Sequence, residues 1–204
     1  MKNWLGLFIV TLYISGCASS YNMIMPPMLS YPDKSVSDSV LLYYRYKVLE
    51  ESNNRKYARK ERKSGIKVVA VKIVNNSAKT VSFKKNLQLF ASSGLVLPKD
   101  NTLVYYDLKQ SVPAYMVYLV LLPMHKITVN FGGPANFFPF GFVVAPLFAA
   151  TNMIKAAHAN NLFRFELDKF NIVNQDIPPG ETVYGLICIE SEDEVPLTLK
   201  RRLP

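Results

Sequence analysis

The sequence predicts a mainly β chain: an antiparallel β-sandwich carrying an inserted apolar helical hairpin. Three observations predict it. Between residues 40 and 109, and again after 162, short β-branched and aromatic runs alternate in hydrophobicity and are separated by Asn, Gly, Pro and Ser turns. The interval from Gln110 to Ile154 breaks that pattern with 45 residues whose only formal charge is Lys126. Half of the 204 residues are apolar and 12% are aromatic, which supports one domain with a sizeable core and excludes a disordered chain.

The strands follow in order. From Val40 to Val48 every even position is apolar or aromatic, while Arg45 and Lys47 make the other face basic, so one face points inward. Ile66 to Val74 is β-branched and nearly continuous, as a central strand is. Asn75-Asn76-Ser77-Ala78 reads as a turn, because Asn tolerates positive φ and bonds back to the chain. Val81 to Phe83 and Leu87 to Phe90 continue the alternation around a corner at Lys84-Lys85, and Ser92-Ser93-Gly94 is another turn. Thr102 to Tyr106 and Phe163 to Asp168 are further expected strands. Ile177-Pro178-Pro179-Gly180-Glu181 is a tight turn before an apolar strand, Val183 to Ile189, in which Gly185 marks close approach of another backbone. Val195 to Lys200 is an edge strand, since Pro196 cannot donate to a ladder. About seven strands with turns between them favour a sandwich.

Two phrases carry a resemblance. The valine-rich Val69-Ala70-Val71-Lys72-Ile73-Val74-Asn75-Asn76-Ser77 and the stretch Ile177-Pro178-Pro179-Gly180-Glu181-Thr182-Val183-Tyr184-Gly185-Leu186 resemble units of the immunoglobulin-like domains of small bacterial lipoproteins. The resemblance covers 65–109 and 162–201 and implies an immunoglobulin-like β-sandwich acting as a binding or structural module, a fold that hosts many functions. The antibody-type Cys…Trp…Cys core is absent, because the only tryptophan is Trp4.

The N-terminus carries an address. Lys2 precedes an apolar run through Trp4, Leu5, Leu7, Phe8, Ile9, Val10 and Leu12, then small residues before a cysteine. This is the pattern of a secretory signal peptide, and the run is too short for a spanning helix of about 20 residues. Ile14-Ser15-Gly16-Cys17 resembles the lipobox of bacterial lipoproteins. That resemblance implies removal of residues 1–16, acylation of Cys17 on its thiol, and a mature chain of 188 residues. Cys188 is then the only other cysteine, so no internal disulfide forms, and its apolar surroundings make it a buried small hydrophobe. Ala18 follows Cys17 where an aspartate marks inner-membrane retention in some bacteria, which favours an outer membrane facing the periplasm. Residues 17–38, with three prolines and five serines, read as an extended tether reaching about 65–70 Å, with Met23, Ile24, Met25, Met28 and Leu29 making it unusually apolar.

The net charge of +9 is local. Residues 45–85 hold 13 Lys or Arg against 3 Glu, while the rest of the mature chain is slightly acidic. At its centre Arg55, Lys56, Arg59, Lys60, Arg62 and Lys63 form a loop or a helix starting after Asn54 and stopping at Gly65. Arg55, Arg59 and Lys63 repel one another at i, i+4 spacing, which disfavours an isolated helix. The stretch is either a solvated charged loop or a contact with anionic lipid, each basic residue adding about 1 kcal/mol at such a surface. It has no nucleic-acid recognition motif, and an exported lipid-anchored chain does not meet nucleic acid.

The apolar insertion, at about 110–160, has two blocks, Val112 to Met124 and Phe137 to Ala150, joined through Gly132-Gly133-Pro134. A helix over 113–124 is about 18 Å long, short of a hydrocarbon core of about 30 Å. Pro139 and Pro146 interrupt the second block, and Ala149 to Asn160 suits a helix with small residues on its faces. Three readings compete: a hairpin packed over the sandwich, a hairpin dipping into the membrane beside the lipid, or a face for an envelope partner. The residues expected at a membrane or partner are Tyr115, Tyr118, Leu121, Phe137, Phe138, Phe140 and Phe142.

No catalytic motif is present: there is no G-x-S-x-G, H-E-x-x-H, Walker loop or paired-cysteine zinc pattern. His125 and His158 stand far apart in sequence, and Glu190, Glu192, Asp193 and Glu194 lack EF-hand spacing. No cofactor, metal or enzyme activity is expected. The sequence thus points to a membrane-anchored, non-enzymatic envelope lipoprotein. The alternative is a ligand carrier or hydrolase with a pocket between hairpin and sandwich, lined by Tyr115, Tyr118, Phe137 and Phe140.

Overall fold

A computed structural model describes residues 16–37, 39–91, 94–124, 126–129 and 136–202. In chain order its elements are β1 (Asp33–Ser37), β2 (Val40–Arg45), α1 (Val48–Glu51), α2 (Arg55–Ser64), β3 (Ile66–Asn75), β4 (Leu87–Ala91), β5 (Gly94–Val96), α3 (Asn101–Leu108), a 3-10 helix (Pro113–Met124), β6 (Lys126–Val129), β7 (Asn136–Pro139), α4 (Phe140–Lys169), β8 (Thr182–Glu190) and β9 (Thr198–Arg201). The chain forms two compact units, a smaller one from Met1–Ser20 and Gln110–Asn160 and a larger one from Tyr21–Lys109 and Asn161–Pro204.

The larger unit holds a four-stranded antiparallel sheet, β1-β2-β3-β8, and a three-stranded antiparallel sheet, β5-β4-β9. Their facing sides share one core in which Leu42, Val71, Ile73 and Ile187 meet Leu89 and Leu199. Two sheets over one core is the sandwich-like part of the expectation. Helix, at about 41%, outweighs strand, at about 27%, so the fold is mixed rather than mainly β. The other face of the large sheet is also closed: Val68, Ala70, Leu186 and Cys188 are buried there, and α2 packs on β3. Burial on both faces is why β3 reads as an unbroken β-branched run.

The two phrases that carried the resemblance are joined. β3 and β8 pair from Ile66↔Glu190 to Val74↔Thr182. Beyond that ladder the buried Asn75 side chain donates to the carbonyls of Ile177 (2.9 Å), Pro178 (3.1 Å) and Lys79 (2.9 Å), and accepts from Ser77 N (3.0 Å) and Ser77 Oγ (2.6 Å). One amide thus locks both turns. Gly185 lies where expected against another backbone: Leu186 N donates to Phe170 O at 2.7 Å, and a Cβ on Gly185 would fall 2.6 Å from Ile172 Cβ.

Two expected strands are helices. Thr102 to Tyr106 lies in α3, started by Asp100, whose side chain accepts from Thr102 N and Leu103 N, and buried along Asn101, Val104 and Leu108. That i, i+3, i+7 spacing is helical and overrides the β propensity of Val and Tyr. Phe163 to Asp168 lies in α4, where Ala159, Phe163 and Leu167 bury one stripe at i, i+4 spacing. A six-residue alternation fits either period, and here the helix runs through Asn160-Asn161 without a turn. Four strands, β1, β5, β6 and β7, were not foreseen in the positions where they occur. β1 is a largely exposed edge with no apolar face to betray it, and β6 and β7 pair as a hairpin inside the insertion.

The stretch expected as a tether is built into the fold from Tyr21 onward. Tyr21, Ile24 and Pro26 are buried, and β1 pairs with β2 from Asp33↔Tyr44 to Ser37↔Val40. Glu166, fully buried, receives Tyr21 Oη (2.6 Å), Ile24 N (3.0 Å) and Met25 N (2.8 Å). The rings of Tyr21, Tyr57 and Phe163 pack around it, with centroids 4.8–5.4 Å apart.

Candidate membrane-facing site

The cysteine that the sequence singles out belongs to the smaller unit. Cys17 is exposed. The two residues after it are held by side-chain amides. Ala18 N donates to Asn152 Oδ1 at 2.6 Å. Ser19 N donates to Gln110 Oε1 at 3.1 Å, and Gln110 Nε2 returns a bond to Ser19 O at 2.8 Å. Gln110 is gripped in turn: its N–H donates to Asn160 Oδ1 (2.8 Å), and Asn160 Nδ2 donates to its carbonyl (2.9 Å). Gln110 and Asn160 each present an acceptor and a donor to the backbone of one residue, as a neighbouring strand does, while Asn152 Nδ2 donates to Phe148 O at 2.8 Å. These three polar residues are buried yet satisfied, the condition under which such groups stabilise a position.

The apolar arms pack on this clasp in an unusual sense. Ala18, Ala149 and Ala156 surround Tyr115 and Tyr118, whose rings stack with centroids 6.5 Å apart and planes 9° apart. Tyr115 Oη donates to Gln110 Oε1 at 3.2 Å. Between Phe142 and Ala159 of α4 the buried positions are Ala145, Ala149, Asn152, Ala156 and Ala159, alanines but for Asn152, while Phe142, Val143, Leu147 and Ile154 lie outward. Phe142 is 65% exposed and Ile154 is 70% exposed. On the 3-10 helix Met116, Val117 and Val120 are exposed as well. A helix of a soluble domain turns its large apolar residues inward. Here the small ones are inside and the large ones outside.

This arrangement corrects the expected contact set. Tyr115 and Tyr118 are each only 6% exposed and belong to the unit's own core, so neither is an outer contact. Phe142 is outward as expected, whereas Leu121, Phe137, Phe138 and Phe140 have side chains outside the described residues. The insertion is not a plain helical hairpin either: its two helical arms flank the β6–β7 hairpin, which suits the β-branched and aromatic sequence there. Residues 141–169 of α4 are long and apolar enough to cross a membrane by length and composition. Their last turns, however, carry Arg164, Asp168 and Lys169 and bury Phe163, Glu166 and Leu167 in the larger unit, so α4 does not span as a unit.

The basic segment, in the larger unit, is the helix α2. Gly65, at φ 66°, ends it in the left-handed conformation that glycine adopts freely. Asn54 precedes it as expected, but its side chain does not cap: it accepts from Asn22 N (2.8 Å) and donates to Asn22 O (2.7 Å). Packing overcomes the charge repulsion, because Tyr57, Ala58 and Glu61 are buried. Arg55, Arg59, Arg62 and Lys63 are exposed, and Lys56 is half-buried. Arg62 pairs with Glu50 at 3.2 Å. Lys60 departs from the expected face: half-buried, its ammonium donates to the carbonyl of Lys109 at the end of α3, and burial, then the charge of Lys109, lowers its pKa.

Beneath α2, Glu61 accepts a 2.8 Å bond from Val68 N, and burial pushes its carboxyl up to about 7. Cys188, fully buried as anticipated, has its thiol pushed up to about 12 by burial and then by Glu61. The acidic cluster is spent on lysines, Glu190 with Lys99 (2.7 Å) and Glu194 with Lys47 (2.8 Å). A surface cleft of about 380 Å³ includes Asp33, Arg45, Lys47, Glu51 and Glu194 in its wall, but both cations are paired across it, Arg45 with Glu51 at 2.6 Å. His158 is exposed on α4, His125 lies outside the described residues, and among the described residues no three His, Cys, Asp or Glu groups converge as metal ligands do.

Sequence reasoning missed the three amides. Asn152, Asn160 and Gln110 stand out only as polar residues within an apolar stretch. No protein-family model, no curated protein and no solved structure matches this chain.

Proposed function

We propose that the chain is a lipoprotein of the bacterial cell envelope, anchored by lipid on Cys17 and acting as a non-enzymatic binding or structural module. The observation that carries this reading is the junction of sequence and geometry at one residue. The lipobox-like Ile14-Ser15-Gly16-Cys17 ends on an exposed cysteine, and the next two residues are gripped by Asn152 and Gln110. The larger unit, with two antiparallel sheets over one core, supports the finer reading of an immunoglobulin-like sandwich. The residue after the cysteine, Ala18, favours an outer membrane facing the periplasm. Arg55, Lys56, Arg59, Arg62 and Lys63 on α2 are the group for anionic lipid headgroups or an acidic envelope partner.

Intact-mass and peptide mass spectrometry of native material test this. The expected result is a chain beginning at Cys17 with a thioether-linked diacylglyceryl group. A chain retaining Met1, or a bare thiol at residue 17, rejects it.

A further inference from the structure

We infer that the smaller unit is itself a membrane-inserting element, placing Met116, Val117, Val120, Phe142, Leu147 and Ile154 in the acyl region of one leaflet. This rests on the lipoprotein reading for what lies beside the face.

Three observations select a lipid leaflet as the occupant. The first is the inverted polarity of α4 over residues 142–156, with alanines and Asn152 inside and the largest apolar side chains outside, matched by the exposed Met116, Val117 and Val120 of the 3-10 helix. Burying each such side chain gains about 1.5–3 kcal/mol, and leaving a contiguous set in water is an aggregation hazard. The second is charge: from Gln110 to Ile154 only Lys126 is charged, and the next cation, Lys155, follows the end of the outward stripe. A protein partner's interface normally keeps a polar rim, whereas a leaflet accepts an unbroken apolar face. The third is position. Ala18 is bonded at the level of Asn152, so the residue carrying the lipid is fixed along α4 within about 15 Å of Phe142 and closer to Leu147 and Ile154. In the mature chain residues 1–16 are gone and cannot cover the face.

The stripe from Phe142 to Ile154 is about 18 Å long, well short of the roughly 30 Å of hydrocarbon. It therefore enters one leaflet and does not span. It adds an apolar attachment beside the lipid expected on Cys17.

The test uses the mature chain, residues 17–204, with Cys17→Ser, so that no acyl group contributes. It is mixed with vesicles of pure phosphatidylcholine and with vesicles of phosphatidylethanolamine and phosphatidylglycerol at 3:1, and sedimented. The expected result is co-sedimentation with both. Adding Val120→Asp and Leu147→Asp, both at exposed positions, lowers the partition coefficient at least tenfold on both vesicles, with the thermal midpoint unchanged. Partition into the phosphatidylglycerol vesicles alone, abolished by salt, overturns the inference and assigns the contact to α2. A monomer that stays in the supernatant with both vesicles overturns it, and so does a dimer that the two aspartates dissociate, which makes the face a contact between copies. Mass spectrometry of the native chain fails or succeeds independently of these outcomes, so loss of the lipoprotein reading and loss of this inference are distinguishable.

Discussion

Tyr21 donates a 2.6 Å hydrogen bond to Glu166, 145 residues later, and the carboxyl that receives it is fully buried. Ile24 N and Met25 N donate to the same carboxyl, so one side chain of α4 fastens the N-terminal segment of the larger unit. Burial, then the charge of Glu166, raises the Tyr21 phenol far above its ordinary pKa, and it remains a donor at every working pH. Glu166→Ala leaves three buried donors without an acceptor and is expected to cost at least about 3 kcal/mol, and Tyr21→Phe about 2 kcal/mol. Urea denaturation midpoints measure both. In Glu166→Ala the chain before β1 also becomes the first site of limited proteolysis, whereas wild type resists there.

Gly185→Ala places a methyl 2.6 Å from Ile172 Cβ and 2.8 Å from the Phe170 carbonyl. Neither neighbour is a flexible tip, so β8 must move from the Phe170–Asn171 segment. The expected cost is about 1–3 kcal/mol, read as a lower thermal midpoint.

Glu61 makes stability depend on pH. Its folded pKa, about 7, lies above the ordinary carboxyl value of 4.5, so the folded state holds the proton more tightly. The unfolded chain releases that proton first as pH rises, and stability therefore falls between about pH 4.5 and 7 and is flat for this group outside that window. Glu61→Gln keeps an acceptor for Val68 N and removes the titration. The difference in urea midpoint between variant and wild type should widen in the variant's favour from pH 4.5 to 7. A constant difference would show that the group does not titrate in that range.

Cys188 is fully buried with its thiol pushed up to about 12, so the thiolate a reagent needs is absent at neutral pH. In the chain with Cys17→Ser, an aromatic disulfide reagent at pH 8 should release no chromophore until denaturant is added, and then one equivalent.

Replacing Arg55, Arg59 and Lys63 by Gln removes three exposed charges from one face of α2. At about 1 kcal/mol each, affinity for phosphatidylglycerol-containing vesicles should fall about 100-fold at low salt, with no change on phosphatidylcholine. Lys60→Gln should leave lipid binding unchanged and lower the thermal midpoint, because Lys60 bonds to Lys109 rather than facing outward.

The parts legible in the sequence are those whose pattern is set locally. β2, β3 and β8 show their burial directly as alternation or as β-branched runs, and α2 shows its end at Gly65. α3 was readable from Asp100 and the spacing of Asn101, Val104 and Leu108, but its β-branched and aromatic residues favour the competing period. The site was half legible. Cys17 and the apolar arms stand out by composition alone. The direction of each side chain does not, because the 3-10 helix repeats every three residues and turns Val112, Tyr115 and Tyr118 toward alanines supplied by distant sequence. An aromatic residue beside Ala149 fills a hole that no local window reveals.

The amide clasp on Ala18 and Ser19 has a mechanical consequence. A free linker over residues 18–38 would let a domain roam about 70 Å from its mooring, far enough to sweep much of an envelope compartment. With Ala18 and Ser19 pinned by Asn152 and Gln110, the smaller unit has no such slack. Under the proposed lipidation of Cys17, that unit stays within a few residues' reach of the bilayer surface.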